Sequence, residues 1–485
     1  MDNYIGIDLG TSSVKLLLVA TDGRVLRSVT KEYPIYYPQS GWSEQNPEDW
    51  LKATVDGLEE LLLGVDRESV KGLSFGGQMH GLVLLDEEDE VIRPAILWND
   101  GRTEKETQYL NTVVGKDNLS LYTANIAFAG FTAPKILWVK ENEPHNFARI
   151  AKIMLPKDYL AYMLTRVHST DYSDASGMLL LDVKNKRWSK EMCDVCSVRE
   201  EWLPTLYESY ECIGQVRDEY HLPNAIVIAG AGDNAAAAIG TGVVEDGDCN
   251  ISLGTSGTVF IAQEGFSVDE NNSLHSFAHA NGKYHLMGCI LSAASCNKWW
   301  MEEILQTKDF ASEQTDVDGL LGVNDVYFLP YLMGERSPHN DVDARGCFIG
   351  MRANTTRKQM TLAVMEGVAF ALRDCVDVAR KSGLQIRKTK ICGGGAKSEI
   401  WKQIISDIFG IPVETLCIEE GPAYGAALLA MVGNGVYKRV EDAVKATVQI
   451  KETVYPNKER LERYEQRYQV FKKLYPALKD TFANM

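Results

Sequence analysis

The same pattern of apolar and polar positions occurs twice, about half a chain apart. Residues 3–9, NYIGIDL, are mostly apolar, GTSS follows as a small-residue turn, and VKLLLVA at 14–20 is a second apolar run. The turn TDGR then leads into VLRSVTKEY. Short runs of this kind, bounded by Gly, Ser and Asp, predict three strands joined by hairpins. Residues 249–263 repeat the layout as CNISL, GTSG and TVFIAQ, so that IDLGTS at 7–12 and ISLGTS at 251–256 differ only at the second residue. A repeat of this kind predicts a duplicated unit.

Around these hairpins, the strand-like runs KGLSFGG and RPAILW alternate with the helical patterns EDWLKATVDGLEELLLG and PKILWVKEN. In the second half, RKQMTLAVMEGVAFALRDCVDVARKSG predicts one long amphipathic helix. The strand KTKIC, the glycine turn GGGAKS and a new helix at WKQIISDIFG follow it. Leu461, Tyr464, Tyr468, Phe471 and Tyr475, spaced by three and four, predict a C-terminal packing helix. The class is therefore α/β. At 485 residues the chain exceeds the ~250–300 at which single cores stop growing, so two domains are expected. Their boundary falls just before the second hairpin, giving units 1–245 and 246–485.

Charge narrows the partners. The formal net charge of -17 repels nucleic acid and anionic membrane surfaces, so any phosphate must be held locally by backbone N–H groups, a lysine or a divalent cation. The start of the chain carries Asp2 and Asp8 and no basic leader, from which a cytoplasmic address is expected. The small-apolar run from Ile226 to Val244 holds Asp233 and Asn234 at its centre, which argues against a membrane helix. Ten cysteines include one close pair, Cys193 and Cys196, too few for a four-ligand zinc site, and reduced thiols are expected. His275 and His279 in HSFAH have metal-ligand spacing, but the segment reads as extended and no metal site is predicted.

Six segments carry candidate chemistry. In GIDLGTSSVK, a strand ending in Asp8 turns through Gly10, Thr11 and Ser12, a geometry that aims N–H groups at a phosphate. Asp8 would then approach a metal through water and Lys15 the terminal phosphate. Gly254, Thr255 and Ser256 repeat the turn without the carboxylate, because Ser252 replaces it. ICGGGAKSEIW brings glycines to a helix start, a place for polar or anionic groups. In AGAGDNAAAAIG, Asp233 follows a strand, either as a site carboxylate or as a helix cap. GGQMHG places His80 between glycines where it can bond a sugar hydroxyl, and RPAILWNDGR adds Trp98 as an aromatic wall.

Together, and in this order, these strings resemble the FGGY family of carbohydrate kinases. So do GWSEQNPEDW, GFTAPKILWV, LPKDYL, LSAASC, FLPYLMGERSPH and EGVAFAL. The resemblance runs nearly end to end. It implies an actin-like ATPase fold, two RNase H-like domains around a central cleft, and ATP-dependent phosphorylation of a ketose, D-xylulose in the branch matched throughout, with ATP and Mg²⁺. Position by position it implies Asp233 as catalytic base and Asp8 as the metal-associated carboxylate. Met79, His80, Trp98 and Asn234 would line the sugar site, and Thr11, Lys15, Thr255, Gly395 and Ala396 the nucleotide site. Glu399 stands where some relatives carry Asn. The expected partners are the ketose and ATP, with no nucleic acid or membrane, and a homodimer is left open.

Overall fold

A computed structural model describes residues 2–485. Its first sheet runs in the order Cys212–Gln215, Ile226–Ile228, Val70–Gly77, Asn3–Leu9, Ser13–Ala20, Val25–Glu32, with Ala231–Gly232 as an extra strand on Val70–Gly77. The predicted hairpin is present: Asn3–Leu9 pairs antiparallel with Ser13–Ala20, placing Asp8 opposite Lys15. The Gly10 N–H donates to the Ser13 carbonyl at 3.0 Å and closes the turn.

The near-continuous apolar run has a physical cause, because this sheet is covered on both faces. Ile5, Ile7 and Leu9 point into one core together with Trp50, Leu58 and Leu61 of the helix Pro47–Leu61. Tyr4, Leu17 and Val19 point into another core, built from the helices Asp233–Gly240 and Gly421–Gly433.

The second sheet runs His275–Ala278, Tyr284–Ile290, Gly257–Gln263, Cys249–Leu253, Thr389–Cys392, Val413–Leu416, Ile450–Val454. Its hairpin pairs Leu253 with Gly257, and Cys249–Leu253 runs parallel to Thr389–Cys392, as Asn3–Leu9 does to Val70–Gly77. The HSFAH segment is a strand, as its extended reading predicted. The long helix Arg357–Lys381 starts at a capping box between Thr356 and Gln359. Tyr464, Tyr468, Phe471 and Tyr475 of the helix Lys458–Phe482 are buried, Leu461 only partly. The Tyr464 hydroxyl donates to Glu366 at 2.9 Å, and the Arg467 guanidinium pairs with the same carboxylate at 2.6 Å.

Periodicity did not reveal where Gly421–Gly433 packs. It is apolar all round, with Ala423 through Val432 buried, and it belongs to the layer over the first sheet although its sequence lies far beyond it. Small residues allow the approach. A Cβ on Gly425 would run into the Ala236 carbonyl, one on Gly240 into the Gly421 carbonyl, and one on Gly6 into the Ala423 carbonyl. The Tyr424 hydroxyl then reaches the Gly23 carbonyl at 2.9 Å.

Gly425→Val forces this seam apart and is expected to lower stability by ~1–3 kcal/mol or more, read as a reduced urea midpoint. Gly265→Ala, whose Cβ would meet nothing within 4 Å, should leave the midpoint unchanged.

Candidate active site

Strand pairing assembles the site. Val70–Gly77 is the shared neighbour of two parallel strands: Asp8 aligns with Gly76, and Gly232 with Gly77. The carboxyl ends of three strands therefore deliver Asp8, the loop Gln78–Gly81 and Asp233 to one edge, where open α/β sheets keep their ligands. Asp233 is the first residue of the helix Asp233–Gly240, and Gly232 is its cap, so the carboxylate is free of the capping role.

The surroundings of both carboxylates favour the protonated form. Burial pushes Asp8 up to about 7, the charge of Asp233 adds to this, and Lys15 opposes it. Burial likewise lifts Asp233 to about 6, offset by two donors from Asn234, its N–H at 2.6 Å and its Nδ2 at 2.8 Å. Asn234 is thus the orienting partner of Asp233. Two half-buried, mutually repelling carboxylates, with one ammonium nearby, suit a divalent cation held partly by another ligand. Among the described residues no cluster of three or more His, Cys, Asp or Glu could hold a metal ion by itself.

His80 adopts a left-handed backbone, φ 69°, and its ring stacks on Phe131 with centroids 4.6 Å apart. Burial holds its ring far down, at about 3, so it is neutral. Its Nδ1 lies 2.8 Å from the Gly177 carbonyl, which only accepts, so Nδ1 carries the hydrogen and Nε2 is left as an acceptor. The His80 carbonyl accepts from Thr132 Oγ1 at 3.1 Å and from the buried Lys135 Nζ at 2.8 Å. Met79 is buried beneath the loop, against the position a Gly232 Cβ would take.

Trp98 is 41% exposed, and its Nε1 donates to Thr11 Oγ1 at 3.0 Å, which joins an expected sugar wall to an expected phosphate turn. The Thr11 carbonyl accepts from Gln45 Nε2 at 2.7 Å. Lys15 is not free: its Nζ lies 2.6 Å from Glu420 Oε2, just ahead of the helix Gly421–Gly433.

On the second sheet, the GGGAKS segment forms a single 3₁₀ turn, Gly394–Lys397, and the helix restarts at Glu399 under a Ser398 cap. Gly393, at φ 88°, packs on Leu253 so closely that a Cβ would overlap its carbonyl carbon. This segment divides two cavities. The larger, about 690 Å³, is lined by Thr255, Ser295, Asn297, Gly395 and Trp401. The smaller, about 500 Å³, is lined by Ala396, Glu399, Thr241 and Glu419. Thr255 and Gly395 thus come together, whereas Ala396 and Glu399 face the other way.

The structure adds residues that sequence reading missed: Phe131 and Gly177 around His80, Gln45 behind Thr11, Glu420 on Lys15, and Asn297 in the larger cavity. Phe131 and Gln45 carried a signal, as parts of GFTAPKILWV and GWSEQNPEDW.

The N-terminal domain of the FGGY family of carbohydrate kinases matches residues 3–240, and the C-terminal domain of that family matches residues 249–433. The chain belongs to the FGGY family of carbohydrate kinases. The two sheets, each opening on the same hairpin, are its actin-like two-domain ATPase fold. A xylulose kinase of Lactococcus lactis is 41% identical over 492 residues, 98% of this chain and 97% of that one. A xylulose kinase of Bacillus subtilis is 38% identical over 489 residues, 99% and 98% of the two chains. A crystal structure of a kinase from Brucella ovis superposes with TM-score 0.94 at 38% identity, covering 99% of this chain and all of that one.

The FGGY site places charge where the apoprotein is least able to solvate it. Asp8 gains a proton on folding, so ionising it opposes stability from its unfolded value near 4 upward, most fully above about 7. Without divalent cation, Asp8→Asn should therefore raise the urea midpoint at pH 8, by roughly 1–3 kcal/mol after allowance for solvent screening. The gain should shrink toward pH 4, and a gain that does not vary with pH would contradict the assigned shift.

Proposed function

We propose that this FGGY kinase transfers the γ-phosphoryl group of ATP to D-xylulose, giving D-xylulose 5-phosphate. The observation that carries the reading is the alignment of Gly232 with Gly77, which brings Asp233 and the His80 loop to one edge beside Asp8. Near end-to-end identity with xylulose kinases supports the choice of ketose.

In this reading Asp233 accepts the proton of the attacking sugar hydroxyl, and Asn234 holds its carboxylate in aim. His80 Nε2 accepts from another sugar hydroxyl, and Trp98 and Met79 wall the sugar in. Thr11 and Thr255 bring backbone N–H groups to the phosphates from the two halves, with Gly395 near the nucleoside and Ala396 on the other side of the same turn. Phosphoryl transfer has a loose transition state, so alignment and charge stabilisation outweigh base strength, and a carboxylate titrating near 6 is adequate. Asp8 would hold Mg²⁺ through water, and that ion, when bound, offsets the negative charge of the phosphates. Among the described residues no helix is long and apolar enough to cross a membrane, and we assign the reaction to the cytoplasm.

The test is ADP release from ATP across a panel of ketoses and polyols. D-xylulose should give the highest kcat/KM, and preference for another sugar would overturn the choice of substrate. Asp233→Ala should cost ~10²–10⁴ in kcat with ATP affinity retained. Because the base must be ionised, wild-type kcat/KM should rise with pH up to about 6 and then level off. A flat profile from pH 5 to 8 would remove Asp233 from that role.

His80→Ala leaves a sugar hydroxyl unpaired. It should raise the ketose KM by roughly five- to 150-fold and blunt discrimination between xylulose and ribulose, while the ATP KM stays constant. A changed ATP KM with unchanged sugar preference would move His80 out of the sugar site.

A further inference from the structure

Beneath Asp233 lies a buried ionic cluster with no part in the chemistry just described. Lys157, from the LPKDYL segment, is fully buried, and its Nζ lies 2.7 Å from Asp158, 2.9 Å from Asp171 and 3.7 Å from Asp174. Asp171 and Asp174 are equally buried, and neither oxygen of Asp174 accepts a hydrogen bond. Burying such a group is expensive unless geometry repays it, so the cluster is a poor device for stability alone.

Its geometry points upward to the site. Asp171 Oδ2 accepts from the Ser173 N–H at 2.8 Å, from Ser173 Oγ at 2.5 Å and from Ser209 Oγ at 2.7 Å. With its hydrogen given to Asp171, Ser173 Oγ is oriented as an acceptor, and the Gly232 N–H donates to it at 3.2 Å. Gly232 immediately precedes Asp233. The stem of Lys157 also lies against the facing strand, where a Cβ on Gly77 would approach its Cβ to 2.6 Å. One cluster thus touches both strand ends that carry the site, Gly77 ahead of the His80 loop and Gly232 ahead of the base.

We propose that Ser173, oriented by the Lys157–Asp171 pair, is a positioning residue for Asp233, fixing the Gly232 backbone and so the angle at which the carboxylate enters the cleft. A misplacement of about 1 Å in such a group costs on the order of 10²-fold in rate. The inference rests on Asp233 being the base.

The experiment measures steady-state kinetics of the full chain with ATP and D-xylulose. Ser173→Ala should lower kcat about 10- to 100-fold and leave both KM values within about threefold, because binding groups are untouched. Ser173→Thr restores the hydroxyl and should recover at least about half of the wild-type kcat. Ser173→Cys substitutes a slightly larger atom that is a weaker acceptor, and should fall below half of the wild-type kcat but above the alanine variant; it decides the matter if the alanine variant does not fold. Ser173→Ala or Ser173→Cys within twofold of wild type would overturn the proposal, as would equal losses in the alanine and threonine variants. A wild-type enzyme that turned over no ketose would instead overturn the functional reading on which the proposal stands.

Discussion

Parallel pairing along Val70–Gly77 is the constraint on which the site depends. Asn3–Leu9 lies on one side of that strand and Ala231–Gly232 on the other, so Asp8 and Asp233 reach the cleft in fixed register with the His80 loop between them. Register in a sheet is specified by burial, since a one-residue slip turns every side chain to the opposite face. Here both faces are covered, and a slip of Asn3–Leu9 would drive Ile5, Ile7 and Leu9 into the glycine-lined seam built for Gly6. Core packing thereby sets the position of two carboxylates that do not themselves belong to the core.

The same burial gives the site its electrostatic character. Asp8 and Asp233 are raised above the usual carboxylate range, so they change charge near neutral pH, while His80 stays neutral. Neutral His80 is useful because only the unprotonated ring offers Nε2 as an acceptor. Burial keeps the ring neutral, while the Gly177 carbonyl fixes its tautomer and the Phe131 face its orientation, at an unfavourable backbone angle. Such strain is tolerated where the surrounding structure over-determines the residue, and the bonds from Thr132 and Lys135 to the His80 carbonyl do so.

Much of this was legible in the sequence, because the informative signals were local. The IDLGTS and ISLGTS hairpins, the long helix after Arg357, the glycine turn at 393–395 and the aromatic face of the last helix all announce themselves within a few residues. Asp8, Asp233 and His80 were legible as strand-end and glycine-loop residues. Contacts between distant segments were not. Glu420 on Lys15, Gln45 on Thr11 and the packing of Gly421–Gly433 over the first sheet depend on topology, and an all-apolar helix does not say which sheet it covers. Ala396 shows a further limit: a motif delivers a turn to the right place, but which side each residue faces is decided by the close packing of Gly393 on Leu253.

Lys15 shows how magnitudes decide between competing partners. Its ammonium is held by Glu420, yet both side chains are about one-third exposed, 38% and 32%. Ion pairs in that setting contribute only ~0–1 kcal/mol, so Glu420 does not commit Lys15 to a single partner. Glu420 sits at the start of the helix Gly421–Gly433, whose small-residue seam joins the two halves of the chain. The Lys15–Glu420 pair thus ties the second strand of the first hairpin to the segment that leads into that seam.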